Sequence, residues 1–208
     1  RVRRRHDSRR PQLPQSSLAG LRCQRNSDSN VTNSIIVTGA GAGIGESIAR
    51  IAADRGYLVG VLDIDGDAAR QVSESIPGAV ALEAAVNDPA QVDAALDIFG
   101  TPDVLVNNAG IVRFGPLLDQ TVDDWRAVVD VNLTGMFVCS TACARRMAGA
   151  GGGSIVSITS INGIAPGPNA GAYGATKAAI NMLSHQMSIE WGPMGVRVNT
   201  VAPGLIDG

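Results

Sequence analysis

The sequence lacks several features that would assign it to a specialised class of protein. It has no uninterrupted run of about 18 apolar residues, which a membrane-spanning helix would need. Its three cysteines are too few for a disulfide framework and fit a reducing compartment, so we expect a cytoplasmic protein. Aromatic residues make up only 3% of the chain, and Lys177 is its single lysine. We therefore expect neither a membrane nor a nucleic acid as a partner, because nucleic-acid binding favours interleaved basic and aromatic residues.

The composition is that of a globular protein with an uneven distribution of charge. The 208 residues are 45% hydrophobic and 17% charged, which is typical of one domain with a sizeable core. Residues 1–33 carry eight arginines and two aspartates, a net charge of +6. Residues 34–208 carry nine basic and seventeen acidic side chains, a net charge of −8. The two parts are therefore interpreted separately.

The basic segment at residues 1–33 is predicted to be disordered. It has few apolar residues and no sustained hydrophobic period, so it cannot offset the entropy of its own ordering. Three interpretations stay open: a cloning or upstream translated segment, an organellar transit peptide, and an arm that contacts nucleic acid or anionic lipid. None of them supports a function for the protein.

From residue 34 onward, short apolar runs alternate with helical patterns. The predicted strands lie at 34–38, 58–62, 79–85, 103–107, 154–159 and 196–202. The predicted helices lie at 43–55, 66–75, 88–98, 121–148 (with a possible break) and 171–191. Strands that are apolar on both faces and separated by helices indicate a parallel sheet covered on both sides. The predicted fold is therefore α/β, a doubly wound, Rossmann-like parallel sheet in three α/β/α layers.

The helical periods also predict which side chains face the sheet. The first helix is expected to carry Ile44, Ile48 and either Ile51 or Ala52 on one apolar face. The third helix is expected to bury its own apolar positions, which are Val92, Ala95 and Leu96.

The segment TGAGAGIG (38–45) joins the first predicted strand to the first predicted helix. Gly39 permits a tight turn, Gly43 lets a pyrophosphate approach the backbone, and Gly45 permits close packing of helix on strand. The helix that starts here, with Ile44 in its first turn, would offer unpaired N–H groups to phosphates. A glycine-rich string is weak alone, but its position between strand and helix favours a dinucleotide site.

Asp63 ends the second predicted strand, 18 residues after Gly45. A carboxylate there can accept hydrogen bonds from both ribose hydroxyls of an adenosine and would repel a 2′-phosphate. Neither Ala42 nor Ile64 offers a positive charge to offset that repulsion. The sequence therefore predicts NAD rather than NADP as cofactor, the alternative being that Asp63 caps the next helix.

YGATK (173–177) places Tyr173 and Lys177 four residues apart, on one face of the last predicted helix. An ammonium beside a phenol favours the phenolate, so such a tyrosine can exchange a proton with an alcohol or a carbonyl. Taken alone, this pair is more often a solvated helix face.

In this context the chain resembles the short-chain dehydrogenase/reductase family in its compact form. The resemblance covers about 34–208, and its motifs occur in order at workable spacing. They are TGAGAGIG (38–45), NNAG (107–110), Asn132 in VNLTG, SIVSITS (154–160), YGATK (173–177) and VAPG (201–204). It implies a single Rossmann-like domain, a homodimer or homotetramer, and an oxidoreductase that transfers a hydride between NAD and a secondary alcohol or ketone.

The resemblance also implies the roles of particular residues. Tyr173 would be the general acid/base, and Lys177 would bind the nicotinamide ribose and favour the phenolate. Ser160 would hydrogen-bond the substrate oxygen, at the family spacing that its rivals Ser154 and Ser157 do not meet. The remaining implied residues would line the catalytic or cofactor site: Asn132 through a water linking Lys177 to solvent, Asn108, Ala109 and Gly110 beside the adenosine, and Pro203 and Gly204 near the nicotinamide.

Two departures from the family pattern affect these expectations. Ala85-Val86 stands where an aspartate and a valine are usual, so Val86 would offer only its backbone to the adenine, with weaker binding. Compact members continue past VAPG through a substrate-covering loop to a seventh strand, and we expect the chain to be a fragment that lacks that last strand.

Other functions stay open on the sequence alone. A catalytically silent dinucleotide-binding protein that senses redox state, or a 3-oxoacyl thioester reductase, would share the same motifs, although Asp63 counts against the latter. Cys139 and Cys143 lack a third ligand nearby, so no metal site is expected and burial in helix packing is the default.

Overall fold

The computed structural model describes residues 33–206, so the predicted disordered segment lies outside the described residues apart from Asn33. Within them, six short segments form a single sheet. These strands are β1 (Ser34–Thr38), β2 (Leu58–Asp63), β3 (Val80–Glu83), β4 (Val104–Asn107), β5 (Gly153–Ile158) and β6 (Val196–Val201).

All neighbouring strands are parallel, and their order in the sheet is β3-β2-β1-β4-β5-β6. β1 pairs with β2 on one side and with β4 on the other, so the direction of winding reverses between β1 and β4. A crevice opens outside the carboxyl ends of the strands at such a reversal, and ligands of doubly wound sheets bind there. The predicted doubly wound, Rossmann-like fold is confirmed.

Helices cover both faces of the sheet. They are α1 (Gly43–Asp54), α2 (Gly66–Glu74), α3 (Pro89–Phe99), α4 (Val122–Val129), α5 (Gly135–Ala150) and α6 (Gly171–Trp191). Alternate residues of β1 point to opposite sides: Ile35 and Val37 join a cluster with α1 and α2, and Ile36 joins one with α3, α5 and α6. Because both clusters are apolar, the sheet is buried from both sides, which gives the three predicted layers.

The long helical region is broken where α4 meets α5, at a π-helical turn over Asp130–Thr134. The whole stretch Val122–Ala150 is long and apolar enough to resemble a membrane span by composition. However, α5 buries several of its side chains in the hydrophobic cluster on one face of the sheet: Met136, Cys139, Cys143 and Met147. The stretch is therefore a core helix, and the two cysteines pack in it as expected.

One prediction about the core is wrong. Ile44 was expected on the same face of α1 as Ile48 and either Ile51 or Ala52, but 40% of its surface is exposed. Ile48 packs against the core, and Ala52 is buried together with Gly45 and Ala49. The reason is the close approach of α1 to the first loop, since a Cβ at residue 45 would collide with the Gly39 carbonyl. Only small residues fit on that face of α1. In α3 the predicted inward residues are buried.

Candidate active site

A groove of about 720 Å³ runs along the carboxyl edge of the sheet, within the range of ligand sites in proteins. It is lined by the loops that follow each of the six strands. Most residues expected from the sequence to hold the cofactor or substrate line this one groove: Gly39, Ile44, Asp63, Val86, Asn108, Ala109, Gly110, Ser160, Tyr173, Lys177, Pro203 and Gly204. Gly43, Gly45 and Asn132 are not among the residues that line it.

The glycine turn presents the start of α1 to the groove. Gly39 and Gly43 have φ angles of +62° and +60°, which glycine adopts without strain, and a Cβ at residue 43 would meet open space. The N-cap residue of α1 is Ala42, and within residues 33–206 no side chain caps this end of the helix. The first N–H groups of α1 therefore suit an anion such as a pyrophosphate.

The segment after β4 is held against the glycine turn by hydrogen bonds. The amide of Asn108 donates to the carbonyls of Thr38 and Gly39, both at 3.0 Å. The Thr38 hydroxyl accepts from the backbone N–H groups of Asn108 (3.0 Å) and Ala109 (3.1 Å). Thr38 was not among the predicted site residues. The only feature of the sequence that could have indicated it is a hydroxyl at the last position of a buried strand.

Asp63 points into the groove at the end of β2. Its carboxylate accepts from the N–H of Gly41 at 2.9 Å and from the N–H of Asp65 at 3.0 Å. The cap of α2 is Asp65, whose side chain accepts from Asp67 and Ala68. The alternative role of Asp63 as a helix cap is therefore excluded. Two hydrogen bonds fix its orientation and leave other lone pairs for a ligand.

The segment that follows β3 closes the same end of the groove. Val86 is buried, and its carbonyl accepts from the Cys139 thiol at 3.8 Å. The N–H of Ala85 donates to the Gln91 side chain at 2.9 Å. The backbone of this segment is thus held in place from α3 and α5, with Ala85 rather than a carboxylate facing the groove.

At the other end of the groove, α6 carries Tyr173 and Lys177 one turn apart. The Lys177 Nζ lies 5.5 Å from the centroid of the Tyr173 ring and donates to the Ile158 carbonyl at 2.7 Å. Only 4% of Lys177 is exposed, and this burial lowers its pKa to about 8. The Tyr173 ring and the Lys177 ammonium therefore lie in the same local environment.

Ser160 follows β5 and faces the same groove. Its hydroxyl oxygen accepts from the N–H of Asn162 at 3.1 Å, which caps a short 3-10 turn. This bond uses a lone pair, so the hydroxyl proton stays available to a substrate oxygen. The rival Ser157 is buried and accepts from the Asn107 amide at 3.2 Å, away from the groove.

Asn132 lies behind the groove in the π-helical turn and is almost completely buried. Its side-chain oxygen accepts from the N–H of Ile111 at 2.8 Å, and its amide donates to the Ile111 carbonyl at 2.9 Å and to Thr176 Oγ1 at 3.3 Å. A Cβ at Gly110 would lie 3.3 Å from Asn132 Oδ1 and 3.7 Å from Lys177 Nζ. Asn132 thus joins the loop after β4 to α6 close to the ammonium.

The loop after β6 is tied to the one that carries Ser160. The N–H of Ile161 donates to the Pro203 carbonyl at 3.0 Å, and the N–H of Thr159 donates to the Val201 carbonyl at 2.8 Å. These bonds hold the loop that brings Pro203 and Gly204 to the lining of the groove.

Comparison with known protein families gives an independent result. The family model described as short chain dehydrogenase matches residues 33–208. Cis-4-hydroxycyclohexanecarboxylate dehydrogenase of Sinomonas cyclohexanicum is 38% identical over 180 residues, which cover 83% of this chain and 72% of that protein.

Solved structures agree with the sequence comparison. A 3-oxoacyl-[acyl-carrier protein] reductase of Brucella melitensis with bound NAD has a TM-score of 0.80 and 35% identity, over 83% of this chain and 70% of that one. A gluconate 5-dehydrogenase of Burkholderia cenocepacia in complex with NADP and tartrate has a TM-score of 0.80 and 36% identity, over 85% and 72%. With the fold and the groove described above, these matches show that the chain belongs to the short-chain dehydrogenase/reductase family, the NAD(P)-dependent oxidoreductases that act on alcohols and ketones.

Proposed function

We propose that the protein transfers a hydride between NAD and a secondary alcohol or ketone, with Tyr173 as the general acid/base. The observation that carries this proposal is that a single groove combines groups suited to a dinucleotide with groups suited to proton transfer. The uncapped start of α1 and the Asp63 carboxylate lie at one end, and Ser160, Tyr173 and Lys177 lie at the other. A protein that only bound a dinucleotide would not need the second set.

The residues present fit a dinucleotide. The first turn of α1 with Gly39, Gly43 and Gly45 would hold the pyrophosphate, and Asp63 would accept from the adenosine ribose. Val86 and residues 108–110 would border the adenosine. Lys177, with Pro203 and Gly204 nearby, would border the nicotinamide end. When bound, the nicotinamide supplies the hydride chemistry, and the protein supplies orientation and proton transfer.

The chain's own residues would manage the substrate proton. In oxidation the Tyr173 phenolate takes the proton of the substrate hydroxyl, and in reduction the phenol returns it to the carbonyl oxygen. The Ser160 hydroxyl donates to that same oxygen and fixes its position. The Lys177 ammonium lies 5.5 Å from the centroid of the Tyr173 ring, so its charge is close to the phenol that exchanges the proton. Asn132 would hold the loop after β4 in position beside Lys177. It would also hold a water that links Lys177 to solvent.

A turnover assay tests this proposal and separates it from the silent alternative. The full chain is mixed with NAD or NADP and a panel of alcohols: a 4-hydroxycyclohexanecarboxylate, a hydroxysteroid, a polyol and a 3-hydroxyacyl thioester. Reduction of NAD by at least one member is expected. Tight binding of NADH, measured by fluorescence, without turnover of any member would instead favour a silent dinucleotide-binding protein. Turnover of the thioester alone, with NADP, would favour a 3-oxoacyl thioester reductase.

The choice of NAD over NADP is proposed from Asp63. Replacing Asp63 with asparagine and Ile64 with arginine removes the negative charge and adds a positive one, since Ile64 lines the groove and is 72% exposed. The ratio of kcat/KM for NAD to that for NADP is expected to fall about 100-fold, which is close to 3 kcal/mol. Asp67→Asn, an exposed change on α2 outside the groove, is the matched control. A wild-type preference for NADP would contradict the assignment.

We also propose that the protein forms a homodimer or homotetramer through α5 and α6. Phe137 on α5 and Met182 on α6 are 48% and 71% exposed and line an apolar groove between the two helices, together with Leu133 and Leu183. An exposed apolar groove of this kind favours burial against a second copy. Sedimentation of the full chain is expected to give a multiple of the monomer mass, and a monomer at micromolar concentration would contradict it.

A cytoplasmic location is proposed from the thiols. Cys139 and Cys143 are free and buried, and burial raises the pKa of both. Cysteines that stay unpaired are typical of a reducing compartment, because disulfides form and persist in oxidising ones. Fractionation of cells that express the protein would test this, and recovery from an oxidising compartment would contradict it.

A further inference from the structure

The helix that carries Tyr173 has no cap of its own. The N-cap position of α6 is Ala170, which has no side-chain oxygen to offer to the free N–H groups of the first turn. Gly171, the first helical residue, has a φ angle of +32°, an unusual start for a helix. Tyr173 is the third helical residue, so its orientation depends directly on how this first turn is held.

Gln120, 52 residues earlier in the chain, occupies the place of the missing cap. Its side-chain oxygen accepts from the N–H of Ala172 at 3.2 Å. Its amide donates to the Arg113 carbonyl at 2.8 Å, in the loop after β4. A Cβ at residue 171 would collide with the Gln120 amide, so glycine is required there for space as well as for φ. One amide therefore links the loop after β4 to the residue next to Tyr173.

The backbone of Gln120 is itself well fixed. It directly precedes the capping box of α4, in which the Thr121 hydroxyl accepts from the N–H of Asp124 at 3.0 Å and donates to its carboxylate at 2.7 Å. A second bond joins the same two loops, because the N–H of Gly115 donates to the Asn169 carbonyl at 3.2 Å. The start of α4 thus supplies a rigid base from which Gln120 reaches α6.

We propose that Gln120 is a positioning residue for the reaction, acting through the first turn of α6 on the phenol of Tyr173. The inference rests on the proposed role of Tyr173 as acid/base. Because proton transfer requires hydrogen-bond distance to the substrate oxygen, a small rotation of this turn lowers the rate of the chemical step. Gln120 is not among the residues that line the groove, so its proposed effect on the reaction passes through the first turn of α6.

Three variants of the full chain test the proposal. Gln120→Leu removes both hydrogen bonds at similar size. Gln120→Glu keeps an oxygen that can accept from Ala172 and loses the donor to Arg113. Gln71→Leu makes the same chemical change at an exposed position of α2 and is the matched control. The measurements are kcat with the best alcohol of the panel, the Kd of NADH by fluorescence, and amide hydrogen exchange along α6.

The expected results separate positioning from a general loss of structure. Gln120→Leu should lower kcat about 10- to 100-fold, leave the Kd of NADH unchanged, and speed exchange at residues 172–174 but not at residues 180–191. Gln120→Glu should recover most of the lost kcat, and Gln71→Leu should match the wild type. A kcat of Gln120→Leu close to the wild-type value would overturn the proposal, and so would a parallel loss of NADH affinity or a failure of Gln120→Glu to recover activity.

Failure of the proposed function gives a different pattern. If the wild-type protein turns over no alcohol of the panel, the acid/base role of Tyr173 is contradicted rather than the contact of Gln120. Amide hydrogen exchange alone then tests whether Gln120 holds the first turn of α6. Faster exchange confined to residues 172–174 in Gln120→Leu supports Gln120 as the cap of α6, and unchanged exchange overturns it.

Discussion

Replacing Tyr173 with phenylalanine is expected to lower kcat by about 10²- to 10⁴-fold while the affinity for NADH stays the same. The change removes one oxygen, so the substrate hydroxyl loses the group that takes its proton, and Ser160 and Lys177 cannot replace it at the same position. The aromatic ring stays, so the packing of Lys177 over it is kept. The measurement is kcat with the best alcohol of the panel, together with NADH binding by fluorescence.

The chain provides its own control for this experiment. It has only two tyrosines, and the other, Tyr57, packs beside α1 in the hydrophobic cluster that includes Ala49 and Ala52. Tyr57→Phe makes the identical chemical change outside the groove and should retain wild-type kcat. If Tyr173→Phe keeps more than about a tenth of the wild-type kcat, proton transfer by this phenol is not part of the reaction.

Much of the fold could be predicted because parallel strands buried on both faces leave a plain signal. β1 and α6 begin and end at the residues that the pattern indicates, and most other boundaries differ by one or two residues. The third strand was predicted too long, at 79–85 instead of Val80–Glu83. Ala84 and Ala85 continue the apolar run, but the Gln91 side chain, and not a neighbouring strand, accepts from the N–H of Ala85. Hydropathy does not distinguish these two situations.

The error in α1 has a related cause. A hydrophobic period identifies a buried face by its large apolar residues, and that reasoning selects Ile44. Where a helix must approach a backbone closely, however, the buried face is the one with the smallest side chains. Gly45 and Ala49 mark that face of α1. The glycine motif contained this information, because Gly45 was expected to permit close packing of helix on strand.

In the candidate site, motifs predicted which residues would meet but not what would hold them there. The order and spacing of known motifs identified Asp63, Ser160 and Tyr173, which all line one groove. The contacts of Thr38 with Asn108 and of Gln120 with Ala172 join residues 70 and 52 positions apart. Such pairs depend on where loops from distant strands meet, so no local pattern in the chain indicates them.

Lys177 combines a requirement for the reaction with a cost to the fold. Burial lowers its pKa from the ordinary 10.5 to about 8, because the ammonium loses hydration that one hydrogen bond to Ile158 only partly replaces. Lys177→Met keeps the length of the side chain and removes the charge. This variant should lose turnover, and at pH 7 it should be more stable than the wild type by an amount of order 3 kcal/mol, reduced by the unpaired Ile158 carbonyl.

The pH dependence of the difference in stability between Lys177→Met and the wild type gives the sharper test. Between pH 8 and 10.5 the unfolded chain holds a proton on Lys177 that the folded chain has released, so wild-type stability rises with pH in that window. Below pH 8 Lys177 is protonated in both the folded and the unfolded chain, so the full free-energy cost of burying the ammonium is present. Urea unfolding of wild type and Lys177→Met should therefore show the largest gap at pH 7 and a gap that narrows as the pH approaches 10. Arg145→Met, which removes an exposed cation from α5, should show no such narrowing.

A direct titration is possible because Lys177 is the only lysine of the chain. Protein labelled with ¹³C at the lysine ε carbon gives a single lysine signal, whose midpoint should fall near pH 8 and not near the ordinary value of 10.5. A midpoint at the ordinary value, together with a stability gap that does not change with pH, would show that the amine is hydrated in the folded protein. Tyr173 would then lack a buried ammonium beside its ring, which would contradict the proposed role of Lys177 in the reaction.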